Sequence, residues 1–448
     1  MEKLFGTDGI RGKANRYPIT PEMALLVGKA VAKYRANGAS RRVVVGKDTR
    51  LSGYMLESAI TAGLLSMGMD VLEVGPMPTP AVAHLVRSFA ADCGIMITAS
   101  HNPAEDNGIK IFDENGFKLT ETQSDAIEEL IAIGRSSDLL AGSANIGKAR
   151  RIDDARGRYI EFAKSSIKNC SLAGLKIVLD CANGAAYAMA PAIFRELGAE
   201  VIEIGVSPDG GNINDACGAT HVKTMCERVR QTHADCGIAL DGDADRVIFC
   251  DAAGEVVDGD RIIGMVALDY RKRGKLANNA VVVTSMSNLG LHRAMREAGI
   301  DVITTDVGDH LVIEAMRDRH CNVGGEQAGH VIFMDYVTTG DGIITALHVL
   351  KLMMERNESL QQLASFMTAF PQKMVNLPIR SKVPLDQLLQ LNSTLDALKN
   401  AVGNGGRAVV RYSGTENKLR ILVEMEDAAM LDAWLEKIVA AAKLELGA

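Results

Sequence analysis

No C-x-x-C pair occurs among the eight cysteines Cys93, Cys170, Cys181, Cys217, Cys226, Cys236, Cys250 and Cys321. Without ligand spacings of that kind a zinc site is not expected. Thiols scattered in or beside apolar runs behave as small hydrophobes, and a chain without a disulfide framework suits a reducing compartment. No stretch reaches the ~20 apolar residues of a membrane span. The opening "MEKLFGTDGIRG" has no apolar core of the kind that marks a secretory signal, so a cytoplasmic protein is expected. Positive charge is not in excess either. Lys and Arg number 49 against 56 Asp and Glu, a net charge of −7. A general nucleic-acid or membrane-surface role is therefore not expected, although a local basic pocket for an anion is still allowed.

What is present is a 448-residue chain, 47% hydrophobic and 23% charged, long enough for several cored domains. Three stretches share one order: "RRVVVGKDTRLSGYMLESAITAGLLSMGMDVLEVG" (41–75), "GLKIVLDCANGAAYAMAPAIFRELGAEVIEIG" (174–205) and "NAVVVTSMSNLGLHRAMREAGIDVITTDVG" (279–308). Each opens on a β-branched run, passes a polar turn, enters a helix with apolar residues three and four apart, and stops at Gly68, Gly198 or Gly299. A short strand completes each. Strand, helix and strand over about 30 residues is a βαβ crossover, so three related α/β domains with mixed, largely parallel sheets are expected. The Gly- and Ser-containing segment 134–151 joins the first to the second. From Gln372 the pattern changes to a smaller α+β unit: strand "KMVNLPI", helix "PLDQLLQLNSTLDALKNAV", strands "RAVVRYS" and "KLRILVE", and helix "DAAMLDAWLEKIVAAAKLEL". The expected domains are 1–150, 151–255, 256–370 and 371–448.

Ligands of open α/β sheets gather at the carboxyl ends of strands, and four polar loops fit that rule or lie in comparable turns. In "CGIMITASHNPAEDNGIK" the apolar strand stops before Ser100, and Pro103 cannot continue it. Ser100 is there a nucleophile, a metal ligand, a cap or a turn residue. In "GIALDGDADRVIF" Asp241, Asp243 and Asp245 alternate directly after a strand; carboxylates this close repel, and a cation is the natural compensator. The EF-hand pattern fails, since Arg246 and Ala252 stand where Gly and Glu are needed. A dehalogenase-type phosphatase with Asp241 as nucleophile is the rival reading of D-x-D. In "VGGEQAGHVIF" glycines flank Glu326 and His330, which suit sugar hydroxyls and proton transfer. In "RYSGTENKLR" Arg411, Ser413, Thr415 and the backbone around Gly414 suit a phosphate. Arg11, Lys47 and Arg50, from "FGTDGIRG" and "GKDTRLSG", would add positive charge to the same cleft.

Together "FGTDGIRG", "GKDTRLSG", "TASHNPAEDNGIK", "NINDACGATH", "DGDADR", "GEQAGH" and "RYSGTEN" resemble the α-D-phosphohexomutase superfamily nearly end to end, and "FGTDGIRG" with "GEQAGH" points to its glucosamine branch. The resemblance implies four domains around a central cleft and a phosphoserine at Ser100. It implies one Mg²⁺ per chain, held by that phosphoserine with Asp241, Asp243 and Asp245. Glu326, Ala328 and His330 would read the sugar, and Arg411, Ser413, Gly414 and Thr415 would grip the phosphate that is not reacting. Arg246, Lys110 and Arg11 would supply charge, with Lys110 and His330 as acid/base candidates and His101 in support. The implied reaction interconverts glucosamine 6-phosphate and glucosamine 1-phosphate through glucosamine 1,6-bisphosphate, on the route to UDP-N-acetylglucosamine. That bisphosphate or glucose 1,6-bisphosphate would be the activator. The expected partner is a small phosphosugar, with no nucleic acid and no membrane, and a homodimer is the assembly considered. The same chemistry on mannose or glucose phosphates is the nearest alternative; a sugar-phosphate sensor is a third. Ala328 for Ser, Asn417 for Pro, and His310 and Leu311 for Arg and Tyr depart from the family pattern and bear on sugar preference.

Overall fold

The computed structural model describes residues 3–6, 8–35, 40–133, 140–413 and 417–447. By packing, the chain divides into two compact units, 1–284 with 303–365, and 285–302 with 366–448.

In the first unit, β1 (Ile10–Lys13), β2 (Arg42–Lys47), β3 (Asp70–Pro76), β4 (Cys93–Ile97), β5 (Asp106–Phe112) and β6 (Ala149–Arg151) form a sheet ordered β1-β5-β4-β2-β3-β6. It is mixed: β2 is parallel to β3 and β4, whereas β5 runs antiparallel to β4 and β1. Its helices are α1 (Pro21–Tyr34), α2 (Ser52–Ser66), α3 (Thr79–Ser88) and α4 (Glu121–Ile133). A second sheet holds β7 (Lys176–Asp180), β8 (Glu200–Ile204), β9 (Cys236–Leu240), β10 (Val247–Asp251) and β11 (Val256–Val257), ordered β11-β10-β9-β7-β8, with α5 (Ala155–Ser166), α6 (Met189–Glu196) and α7 (Lys223–Thr232). A third sheet, ordered β13-β12-β14-β15, contains β12 (Ala280–Thr284), β13 (Asp301–Thr305), β14 (Val323–Gly325) and β15 (Val331–Phe333). The helices of this region are α8 (Gly259–Lys272), α9 (Leu289–Glu297), α10 (Asp309–Asp318), α11 (Gly342–Arg356) and α12 (Leu360–Ala364). Of these, α9 belongs to the second unit.

Two of the three copies of the repeat read from the sequence are present as expected. β2–α2–β3 and β7–α6–β8 are crossovers between parallel strands, and Gly68, Gly198 and Gly299 follow their helices at positive φ of 84°, 96° and 63°. These are positions that a Cβ would strain. In segment 134–151, residues 134–139 lie outside the described residues, and Ala149–Arg151 pairs parallel to β3 as an edge strand rather than running as a loop.

The second unit carries β16 (Gln372–Pro378), β17 (Gly406–Tyr412) and β18 (Lys418–Met425) as an antiparallel sheet ordered β16-β18-β17, with α13 (Leu389–Val402) and α14 (Ala428–Leu446). This is the expected α+β unit. The helix expected over 384–402 is interrupted: a 3₁₀ turn at Leu385–Gln387 leads into Leu388, whose ψ of 82° is non-helical, before α13 begins. No helix among the described residues is long and apolar enough to cross a membrane.

The sheets are placed by their apolar faces. All five residues of β4 are buried, as are all five of β9, and such continuous runs suit strands covered on both sides. Val43, Val45, Ile95 and Ile97 share a core with Leu56, Ile60 and Leu64 of α2 and Val27 and Val31 of α1. These two helices cross at Gly28 and Gly63. A Cβ on Gly63 would meet the Leu25 carbonyl oxygen at 2.3 Å, and one on Gly28 that of Ile60 at 2.5 Å. Gly157 in α5 is exposed and has open space around it. Thermal unfolding should therefore separate two chemically identical changes. Gly63→Ala forces backbone apart and should cost about 1–3 kcal/mol, whereas Gly157→Ala should gain about 0.5–1 kcal/mol from helix propensity.

Candidate active site

β4 and β9 end in the two loops that carry Ser100 and the aspartates. Ser100 adopts φ +51°, a left-handed conformation that costs a non-glycine residue of order 1–3 kcal/mol. Its N–H donates to Thr98 Oγ1 at 2.9 Å, and its hydroxyl, on a residue 1% exposed, donates to Asp241 Oδ2 at 2.6 Å. Past β9 the chain turns at Ala244 (φ +56°), whose N–H returns to the Asp241 carbonyl at 3.0 Å. This turn gathers Asp241, Asp243 and Asp245, all buried, so that one oxygen from each lies within 4.8 Å of the others.

One ammonium answers them. Lys110 on β5 places Nζ 2.9 Å from Asp243 Oδ2, 3.1 Å from Asp245 Oδ2 and 3.1 Å from Asp8 Oδ2. Burial opposes its charge, but the three carboxylates outweigh burial and hold its pKa well above the usual value. Asp243 also accepts from Thr79 Oγ1 at 2.5 Å. Burial, then the charges of Asp245 and Asp243, push Asp241 well above the ordinary carboxyl range. Burial also acts upward on Asp245, but Lys110, His330 and Arg246 overcome it and hold the group well below that range. Oδ1 of Asp243 and Oδ1 of Asp245 are buried without a hydrogen-bond partner. Orphaned carboxylate oxygens beside a serine hydroxyl are a hard donor set of the kind Mg²⁺ takes, so these residues fit a divalent cation.

The other expected site residues divide. Arg11 pairs with Asp8 at the edge of this cluster, and Arg246 Nε lies 3.9 Å from Asp245 Oδ1. His101 Nδ1 is 3.4 Å from Ser100 Oγ, and burial, with Arg246 and Arg11, lowers its pKa to about 4, so it is neutral at pH 7. His330 Nδ1 lies 3.7 Å from Asp245 Oδ1. Burial opposes charge on this ring and the Asp245 and Asp309 carboxylates favour it, with a net upward direction. The Gly340 N–H, donating to Nε2 at 3.0 Å, disfavours a proton there, so the neutral ring carries its proton on Nδ1. Glu326 to His330 form the β14–β15 turn, closed by the Glu326 N–H on the His330 carbonyl at 2.8 Å, with Ala328 exposed at its tip. The Val247 N–H to Gly329 and the Gly259 N–H to Gln327, each 3.0 Å, hold that turn against the β10 and α8 ends. His310 follows Asp309 at the start of α10.

Lys47 and Arg50 do not add charge to the cleft as expected. Lys47 is buried against Glu57 and lies over the Tyr54 ring, and Arg50 is fully buried against Asp48. In the second unit, Arg411 stands opposite Arg420 across β17 and β18, and Lys382 Nζ donates to the Ser413 carbonyl at 2.7 Å. Gly414 and Thr415 lie outside the described residues.

Sequence reasoning missed Asp8, Thr79, Lys118, Asp309 and Asp341. Lys118 joins Asp8 to Asp309, coupling the opening loop to the start of α10. Asp8 lies inside "FGTDGIRG", and Asp309 directly precedes His310 in "VGDHLV", so both have a signal in the sequence; Thr79, Lys118 and Asp341 are single polar residues with no local pattern. Asp341 caps α11 by accepting the Ile343 and Ile344 N–H groups at 3.0 and 2.9 Å, and accepts the Tyr159 hydroxyl at 2.8 Å. It thereby anchors the turn whose Gly340 holds His330.

A serine hydroxyl beside three buried carboxylates, at the ends of strands in α/β domains, is an arrangement that suits phosphoryl transfer. The comparisons agree in class. Models for phosphoglucomutase/phosphomannomutase α/β/α domains I, II and III match residues 2–137, 157–254 and 258–370, and the model for the C-terminal domain matches 374–441. The chain belongs to this family, the phosphohexomutases. Over 449 residues, 100% of this chain and 99% of the relative, it is 51% identical to a phosphoglucosamine mutase of Geobacter sp. (strain M21). It is equally similar to one of Sorangium cellulosum, over 99% of this chain and 93% of that protein. The fold matches a phosphoglucomutase/phosphomannomutase family protein of Burkholderia thailandensis with a TM-score of 0.82 at 24% identity, covering 99% and 98% of the two chains. It also matches an Aspergillus fumigatus N-acetylphosphoglucosamine mutase, solved with GlcNAc-6P and magnesium, with a TM-score of 0.71 at 18% identity, covering 99% and 96%.

Burial pushes Asp341 from 3.8 up to about 6. The folded state therefore binds this proton more tightly than the unfolded chain does. The cost of its buried charge is absent below about pH 4, grows between 4 and 6, and is complete above 6. Asp341→Asn keeps the capping oxygen and removes the charge. Unfolding midpoints without added divalent metal should show the variant more stable at pH 8, by at most about 3 kcal/mol, with no gain at pH 4.

Proposed function

We infer that the chain interconverts glucosamine 6-phosphate and glucosamine 1-phosphate, as an isomerase that carries the transferable phosphoryl group on Ser100. The observation that carries this reading is the buried Ser100 hydroxyl, 2.6 Å from Asp241 within a cluster of three carboxylates. Phosphoserine donates its phosphoryl group to the free sugar hydroxyl, giving glucosamine 1,6-bisphosphate. The bisphosphate turns over, and Ser100 takes back the other phosphate. Its release would leave Ser100 without phosphate, so glucosamine 1,6-bisphosphate or glucose 1,6-bisphosphate serves as activator.

Asp241, Asp243 and Asp245, with the Ser100 oxygen, would hold one Mg²⁺, which supplies neutralisation of the transferring phosphoryl oxygens when bound. Lys110 is a counter-ion to Asp243 and Asp245, and with a cation held at those carboxylates its ammonium would face the sugar phosphate. Arg11 and Arg246 add charge, and His101, being neutral, orients the serine side chain. His330 is the group placed to move a proton from Nδ1. Glu326 reads the sugar hydroxyls or the amine, with Ala328 leaving the loop tip without a hydroxyl. Arg411, Ser413, Gly414 and Thr415 bind the phosphate that is not reacting. The same reading divides the chain near residues 150, 255 and 370 and places its work on a small phosphosugar in the cytoplasm.

Three measurements check it. Ser100→Ala should lose mutase turnover by several orders of magnitude while still folding; full activity would favour the rival nucleophile Asp241. Chelation of divalent metal should abolish turnover, and magnesium should restore it. Parallel assays with the 6-phosphates of glucosamine, glucose and mannose should give the highest kcat/KM with glucosamine; equal or better turnover of either other sugar would overturn the assignment.

A further inference from the structure

Arg50 of "GKDTR" and Asn214 of "NINDACGATH" both reach the serine loop. Arg50 Nη2 donates to two carbonyls, that of Ser100 at 3.2 Å and that of Asn102 at 2.6 Å. Asn214 Nδ2 donates to the same two, at 2.9 and 3.0 Å. The other arm of the Arg50 guanidinium pairs with Asp48, and both residues are 0% exposed. Asp48 Oδ1 accepts the Arg50 N–H at 2.9 Å, and Oδ2 accepts the Thr98 hydroxyl at 2.6 Å. That hydroxyl is the acceptor of the Ser100 N–H. Both backbone groups of Ser100 are therefore tied into one buried network that begins at Asp48. Asn214 closes it from the β8–α7 connection, where its own N–H is fixed on the Ala182 carbonyl at 2.9 Å.

The need for such a network follows from the conformation. Ser100 sits in the left-handed region, which a residue with a Cβ leaves unless its surroundings hold it. The Ser100 and Asn102 carbonyls converge on one spot and repel there unless donors lie between them. Arg50 and Asn214 are those donors. The approach from the aspartate loop is equally tight: a Cβ on Gly242 would meet the Ser100 carbonyl oxygen at 2.6 Å.

We propose that Arg50 and Asn214 are positioning residues for phosphoryl transfer, clamping the Ser100 and Asn102 carbonyls so that the Ser100 oxygen is held at the carboxylate cluster. The proposal rests on the reading of Ser100 as the phosphoryl carrier. It gives "GKDTR" and "NINDACGATH" one shared task. A planar guanidinium can bond two carbonyls and a carboxylate at once, whereas an ammonium on a flexible stem cannot reproduce that geometry.

The test uses the full chain and the variants Asn214→Ala and Arg50→Lys. Each is measured for unfolding midpoint, for kcat and KM with glucosamine 6-phosphate, and for the rate at which glucose 1,6-bisphosphate phosphorylates Ser100, read by intact mass. Misplacing a reacting atom by about 1 Å costs about 100-fold. Asn214→Ala should therefore stay folded and lose about 10- to 100-fold in kcat, with KM changed by no more than about twofold. Its rate of Ser100 phosphorylation should fall by a similar factor. Arg50→Lys should behave the same way; if it does not fold, Asn214→Ala decides alone. A folded Asn214→Ala with unaltered kcat and phosphorylation rate, or with its whole loss in KM, overturns the clamp. Activity retained by Ser100→Ala would instead overturn the phosphoserine reading, so the two failures are distinguishable.

Discussion

Three carboxylates buried within reach of one another repel, and the geometry around β9 is organised by the need to compensate them. Lys110 meets Asp243 and Asp245 directly, and Asp8 joins the same ammonium. Asp8 is in turn balanced by Arg11 and Lys118, and Lys118 by Asp309. The network therefore extends from the opening loop through β5 to the start of α10. Even so, Asp243 and Asp245 each keep a buried oxygen with no hydrogen bond. A single lysine stabilises this arrangement only partly, because each charge removed from water costs more than one shared ammonium returns. A divalent cation at these carboxylates would complete the balance.

The sheet register explains how serine and lysine come to the same cluster. β4 and β5 pair antiparallel with Met96 opposite Lys110, so the loop between them carries Ser100 out and brings Lys110 back. The stretch "SHNPAEDNGIK" is thus one hairpin with Ser100 at one end and Lys110 at the other. The aspartates arrive on a different sheet, and Thr79 at the start of α3 donates to Asp243 across that junction. Ser100 and the aspartates meet where the two sheets adjoin, and the buried hydrogen bonds Thr79–Asp243 and Ser100–Asp241 cross that junction.

Local patterns were legible in the sequence. The crossovers β2–α2–β3 and β7–α6–β8 could be read because strand periodicity, helix periodicity and a terminating glycine all fall within about 30 residues. Ser100 and the aspartate triplet could be read because each follows an apolar run at once. Burial of charged residues could not: Lys47 and Arg50 look like cleft charges in the sequence and are internal struts in the fold. Lys118 and Asp341 have no local signal, since their partners are the distant Asp309 and Tyr159. The break before α13 was hidden because Leu388 and its neighbours fit a helix by composition, while the backbone at that point is not helical.

The account is tested most directly by following the phosphoryl group itself. The chain is prepared with radiolabelled phosphate on Ser100, freed of excess label, and mixed with unlabelled glucosamine 6-phosphate for a single turnover. Label should leave the protein at the rate of the first turnover and appear in glucosamine 1,6-bisphosphate, then in the monophosphates. Label that stays on Ser100 while the sugar isomerises, or that is released only as inorganic phosphate, would contradict the account.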